Sequence, residues 1–196
     1  MKKAGWEKSH YLVDGFPRNQ ENLDAWKQIF KESVDVKFTL YYDCSLETME
    51  KRLLERAKTS GRSDDNPEAI KKRFTTYQEE TKPVVEHFEK QNLIRKINAE
   101  RDVSEVYADT QKVLDPIKNS LKAPEEKPKV FFVLGGPGSG KGTQCERIIV
   151  DFGLKHLSVG DLLRAETNSG SDLAKEIAGY MSQGQLVPIN PILFKE

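Results

Sequence analysis

Val130-Phe-Phe-Val-Leu134 runs without a break into Gly135-Gly-Pro-Gly-Ser-Gly-Lys-Gly-Thr143. An uninterrupted apolar run of this length is a strand buried on both faces. The glycine-rich loop after it lets the backbone turn tightly and aim successive N–H groups at one point. A helix beginning near Lys141 adds its positive N-terminal end. The segment fits G-x-x-x-x-G-K-[ST] from Gly135 to Lys141, so Gly138, Ser139, Gly140, Lys141, Gly142 and Thr143 are expected to cradle the phosphates of a nucleoside triphosphate, with Lys141 on the outer ones. Gly142 stands where serine or threonine is usual. The hydroxyl comes one residue later, at Thr143, which becomes the candidate metal contact.

The remaining composition narrows the classes. With 31 basic and 31 acidic residues in 196, there is no global electrostatic attraction to a nucleic acid polymer or an anionic membrane. No apolar run reaches the length of a membrane span, and Met1-Lys-Lys-Ala-Gly-Trp6 lacks the apolar core of a signal peptide. Cys44 and Cys145 follow no metal spacing and read as reduced thiols, which places the expected compartment in the cytoplasm, with a size small enough for nuclear entry.

Strands are expected at His10–Asp14, Val36–Tyr42, Leu93–Ile97, Val130–Leu134 and, weakly, Lys155–Ser158. Between them, apolar residues spaced by three and four mark helices over Gln20–Phe30, Leu46–Arg56, Pro67–Gln91 and Val103–Ile117. This alternation predicts an α/β fold with a parallel sheet covered by helices. Segment 119–129 is polar, carries two prolines and reads as a linker. Asn190-Pro191 caps a helix of only six residues, and Met1–Ala4 with Gly5 looks like a helix end without a beginning. Joined head to tail, the two pieces make one helix. We therefore expect a circular permutation in which 119–129 connects ancestral termini: residues 1–118 form one part of the core, 130–196 the other.

Read in the order 128–196 then 1–118, the chain resembles the adenylate kinase-like nucleoside monophosphate kinases, and among them the UMP-CMP kinases. The motifs are Gly135–Thr143, Leu157–Arg164, Gly184–Pro188, Leu12–Asn19, Arg56–Asn66 and Lys72-Arg73. The resemblance implies a three-layer P-loop fold with a five-stranded parallel sheet, a small helical insert at about 158–188 that grips the monophosphate, and a short lid at 56–66. It implies ATP with Mg2+ as phosphoryl donor and UMP or CMP, with dCMP, as acceptor, AMP being the nearest alternative and a non-catalytic nucleotide-binding module the other. A monomer is expected, with exchange of halves between two molecules as the alternative.

The same resemblance assigns roles. Arg18 and Arg164 clamp the monophosphate, Arg62 and Arg73 embrace the transferring group, and Arg56 meets the triphosphate from the lid; a guanidinium suits all five because it stays charged and offers a planar fork. Gly15, Phe16, Pro17, Ser158, Gln185, Leu186 and Val187 surround the acceptor, Asn19 and Asn22 lie where pyrimidine-specific members carry amides, and Arg101 falls near the adenine with its backbone as the expected contact. Asp14, ending an apolar strand, either holds magnesium through water or serves as a turn residue. Asn19 also suits a helix cap. His10, His87 and His156 read as packing residues. The lid, Ala57–Asn66, has almost nothing to bury and is expected to move.

Overall fold

The computed structural model describes residues 9–62, 64–121 and 127–188. The helix expected from joining 191–196 to 1–4 lies outside them.

A sheet of five strands forms the centre: β1 (Tyr11–Asp14), β2 (Asp35–Asp43), β3 (Ile94–Asn98), β4 (Lys129–Gly135) and β5 (Lys155–Ser158), in spatial order β3-β2-β4-β1-β5. Every pairing is parallel. The apolar run that opened the sequence is the middle strand. Its residues alternate between two cores, as a pleat requires. Phe131 and Val133 face one core with Leu12, Leu40, Cys145 and Ile148; Val130, Phe132 and Leu134 face the other with Tyr11, Val13, Trp26 and Phe88. Each fully buried large apolar side chain contributes about 1.5–3 kcal/mol.

Helices α1 (Gln20–Phe30), α2 (Leu46–Ala57), α3 (Pro67–Thr76), α4 (Lys82–Lys90), α5 (Val103–Leu114), α6 (Lys141–Phe152), α7 (Val159–Thr167) and α8 (Asp172–Ser182) complete the described elements. Their starts follow the sequence: Asn19, Ser45, Asn66, Asp102, Ser158 and Ser171 each accept a backbone N–H of the first turn. Two expected helices are corrected. Pro67–Gln91 is not one helix, because Pro83 has no N–H to continue the ladder; the chain widens into a π-helical turn at Tyr77–Thr81, where Lys82 N–H reaches Tyr77 C=O, before α4 begins. Val103–Ile117 likewise ends as an α-helix at Leu114, ahead of Pro116, and tightens into a 3₁₀ turn at Asp115–Ile117.

The linker reading is corrected at its end. Lys129 belongs to β4 and is 2% exposed, its ammonium donating to the Ser120 carbonyl at 2.9 Å. Since β4 lies between β1 and β2, strands from both sides of 119–129 interleave in one sheet. At the carboxyl edge of that sheet Asp14 stands in register with Ser158 on one side and Val133 on the other, and Tyr42 with Gly135. Ligands of open parallel sheets gather at this edge.

Candidate active site

The loop from β4 to α6 is built as its glycines demand. A Cβ on Gly135 would lie 2.7 Å from both the Ser139 hydroxyl and the Tyr42 carbonyl, so only glycine lets the loop close onto β2. Gly140, left-handed at φ 89, caps α6. Lys141 is folded back: its ammonium donates to the carbonyls of Gly135 at 2.8 Å and Gly136 at 2.9 Å. Burial, opposed by Asp14 and reinforced by the positive charges of Arg18 and Arg73, pulls its pKa down to about 8. An anion arriving here would reverse that.

Four arginines enter from the first part of the chain. Arg18 is held by its Nε donating to Gly15 C=O at 2.7 Å, a return that Gly15 permits at φ 70. Burial lowers its pKa, with Arg164 adding to the fall and Asp14 and Asp64 resisting it. Arg73, on α3, pairs with Asp64 at 2.9 Å and Asp65 at 3.3 Å. Arg56, at the end of α2, donates through Nε to Asp65 at 2.9 Å, and Ser60 adds a hydroxyl donor at 2.7 Å. Burial pushes the Asp65 carboxyl up, but Arg56, Ser60 and Arg73 bring it below the usual range. The expectation that Ala57–Asn66 has almost nothing to bury is thereby corrected: Asp64 and Asp65 are 6% and 5% exposed and anchor it to α3 through Arg73. Arg62 lies between; burial first, then the like charges of Arg164 and Arg56, depress its pKa. Arg164, on α7, pairs with Asp161.

These groups surround one cleft of about 1090 Å³. Lining it are Gly138, Gly140, Lys141, Gly142 and Thr143 from the loop, with Asp14, Arg18, Arg56, Arg62, Arg73 and Arg164. Gly15, Phe16, Asn22, Ser158, Gln185, Leu186 and Val187 complete the expected set that the cleft gathers.

Four expected residues stand elsewhere. Ser139 is buried under the loop, its hydroxyl without a partner among the described residues. Pro17, joined to Phe16 by a cis bond, does not line the cleft. Arg101 faces away and pairs with Asp109, although its carbonyl still accepts from Arg52. Asn19 does only its capping work: its oxygen accepts from Asn22 N–H and its amide donates to Glu80 at 3.1 Å, in a separate dent beside Pro83. Asn22 differs. Its Oδ1 accepts from Arg18 N–H at 3.1 Å, so the end it can offer the cleft is the NH2 donor.

One apolar wall of the cleft escaped sequence reading. Trp26, Ile29 and Phe30 of α1 line the cleft with Leu163 and Met181. Their spacing of three and four marks an apolar helix face, but nothing in that spacing separates a pocket wall from a core.

Asp14 fits a hydrated magnesium ion: its Oδ1 is buried without a hydrogen-bond partner among the described residues, and Asp14 lines the cleft together with Thr143. No helix among the described residues is long and apolar enough to cross a membrane.

A phosphate loop at the carboxyl edge of a parallel sheet, ringed by arginines, is matched by what known proteins show. Residues 1–93 and 133–194 match the family model described as adenylate kinase, and the chain belongs to that family. Among curated proteins it is 48% identical over 113 residues to the UMP-CMP kinase of Danio rerio and 46% identical over 112 residues to that of Rattus norvegicus. It spans 58% and 57% of their lengths, respectively. Adenylate kinase isoenzyme 5 of Homo sapiens is 30% identical over 230 residues, an alignment that takes in 93% of this chain and 40% of that protein.

Proposed function

We propose that the chain transfers the terminal phosphoryl group of ATP to UMP or CMP, with dCMP as a further acceptor, giving ADP and a pyrimidine nucleoside diphosphate. The observation that carries this reading is the convergence of Lys141, Arg18, Arg56, Arg62, Arg73 and Arg164 on the cleft that the phosphate loop opens into. Bringing two polyanions together is mostly a matter of alignment and charge neutralisation. Lys141 leaves its two loop carbonyls for the outer phosphates, and the backbone from Gly138 to Thr143 holds the rest. Arg18 and Arg164 grip the acceptor phosphate, Arg62 and Arg73 span the group in flight, and Arg56 closes on the donor. The nucleotides thus compete with Asp64 and Asp65 for Arg73 and Arg56, and that exchange couples occupancy to the position of the lid. Magnesium, held by Asp14 through water with Thr143 nearby, supplies neutralising charge when bound. No general base is required, since the acceptor oxygen is already ionised.

The choice of a pyrimidine rests on Asn22, whose oxygen is taken by Arg18 N–H so that its NH2 is the end left to donate to a base, and on the identity to UMP-CMP kinases. ADP formation with UMP, CMP and AMP under magnesium tests it. Faster turnover of UMP or CMP than of AMP is expected; preference for AMP would reassign the base, and ATP binding by calorimetry without turnover would leave a nucleotide-binding module. We also infer a rotated order of the family's segments, supported by the match in two stretches on either side of residues 94–132. A monomer and a reducing compartment are the accompanying expectations, the latter supported by unpaired Cys44 and Cys145.

A further inference from the structure

We propose that Asp14, Cys145 and His156 form a binding site for a zinc-class divalent ion, Zn2+ or Co2+, beneath the phosphate loop. One ligand atom of each residue lies within 4.8 Å of the others. The sheet and one helix put them there. Leu12 and His156 are register partners on adjacent parallel strands, and Asp14, two residues beyond Leu12, points to the same face. Leu12 packs in the core with Cys145 and Ile148 of α6, so that face is the one α6 covers.

Two of the three groups have a need that the protein leaves unmet. Asp14 Oδ1 and His156 Nε2 are buried and have no hydrogen-bond partner among the described residues. Buried polar atoms are almost always paired, and two orphans beside the same thiol ask for a common partner. The donor set is a carboxylate, an imidazole and a sulfur. Thiolate and imidazole together favour zinc or cobalt over magnesium, which takes oxygen ligands. Without a cation the thiol keeps its proton, burial and the Asp14 charge holding it well above its usual range against the pull of Lys141. On binding, the S–H bond breaks, its proton leaves to solvent, and the sulfur lone pair forms the metal bond with no change of oxidation state. Three protein ligands leave a fourth position for water. Asp14 also lines the cleft, so this ion and the magnesium that accompanies ATP draw on one carboxylate.

Co2+ titration of the reduced, chelator-treated full chain without nucleotide tests the proposal. One equivalent should bring a thiolate-to-cobalt charge-transfer band and the visible ligand-field bands of a low-coordinate ion. Cys145→Ser should abolish the former, His156→Gln should weaken binding at least tenfold, and Cys44→Ser should change neither. Circular dichroism establishes that each variant is folded, and His156→Gln carries the test should Cys145→Ser not fold. Absence of the band in folded wild-type protein, its persistence in Cys145→Ser, or binding indifferent to His156→Gln would overturn the site and mark a bridging water or surface binding instead. None of these readouts depends on kinase turnover.

Discussion

Gly15 sits at φ 70, and a Cβ there would lie 2.5 Å from the Arg18 guanidinium. A left-handed backbone costs a residue with a Cβ about 1–2 kcal/mol, so Gly15→Ala should lower thermal stability by that amount. It should also raise the acceptor KM about tenfold, equivalent to about 1.4 kcal/mol, while leaving the ATP KM unchanged. Lys141→Met should cut kcat/KM by about 10²–10³-fold, the scale of one lost preorganised charge contact. The fold should hold, because a buried charge gives way to an apolar chain of similar length. Lys141 also predicts a proton signature. Its pKa is about 8 where it rests on the Gly135 and Gly136 carbonyls and rises when phosphates surround it, so ATP binding near pH 8 takes up protons and binding well below that pH does not. Calorimetry in buffers of different ionisation enthalpy reads this, and the uptake should vanish in Lys141→Met. Backbone shape was legible where the loop motif dictates it, as at Gly135. The amides were legible in part: Asn19 suited a helix cap, as observed, but was also placed beside the acceptor with Asn22, and the bonds to Glu80 and Arg18 N–H separate the two.

The lid is the element where charge matters most. Asp65, with 2% of its side chain exposed, serves Arg56, Arg73 and Ser60 together. Asp65→Ala should destabilise the chain by about 2–3 kcal/mol, below the usual cost of breaking a buried pair because Arg56 is 33% exposed. Urea unfolding measures it. ATP should recover more stability in this variant than in the wild type, since phosphates replace the missing carboxylate. All five strands were legible, Lys155–Ser158 only weakly because it holds a single large apolar residue, whereas the polar edges of the run at Val130–Leu134 mark where it leaves the core. The break between α3 and α4 was not, because three-and-four spacing continues across it. Pro83 was the available sign, but proline is also at home in a first turn. The wide turn it causes has a use: Tyr77 meets Tyr41 hydroxyl to hydroxyl at 2.6 Å, and Tyr77 and Thr81 both line the cleft.

At the scale of the molecule, the order β3-β2-β4-β1-β5 means that neither part of the chain owns a complete sheet. Residues 1–121 alone lack the strand that joins β1 to β2, so that fragment should be unfolded or aggregate through exposed strand edges. Mixing it with 127–196 should restore a far-ultraviolet spectrum like that of the intact chain. An independently folded 1–121 would contradict this topology. The same interleaving makes exchange of β4 between two chains geometrically accessible, and light scattering after chromatography decides between that dimer and the expected monomer.

The ammonium resting on the carbonyls of Gly135 and Gly136 carries one more consequence. The loop itself supplies the lysine's partners, so an incoming anion must outcompete two internal contacts before it gains the lysine. A chloride ion has one charge and no reach. A chain of linked phosphates can occupy the amides first and draw the side chain over afterwards, so under the proposed function the loop is expected to favour polyphosphate over small anions.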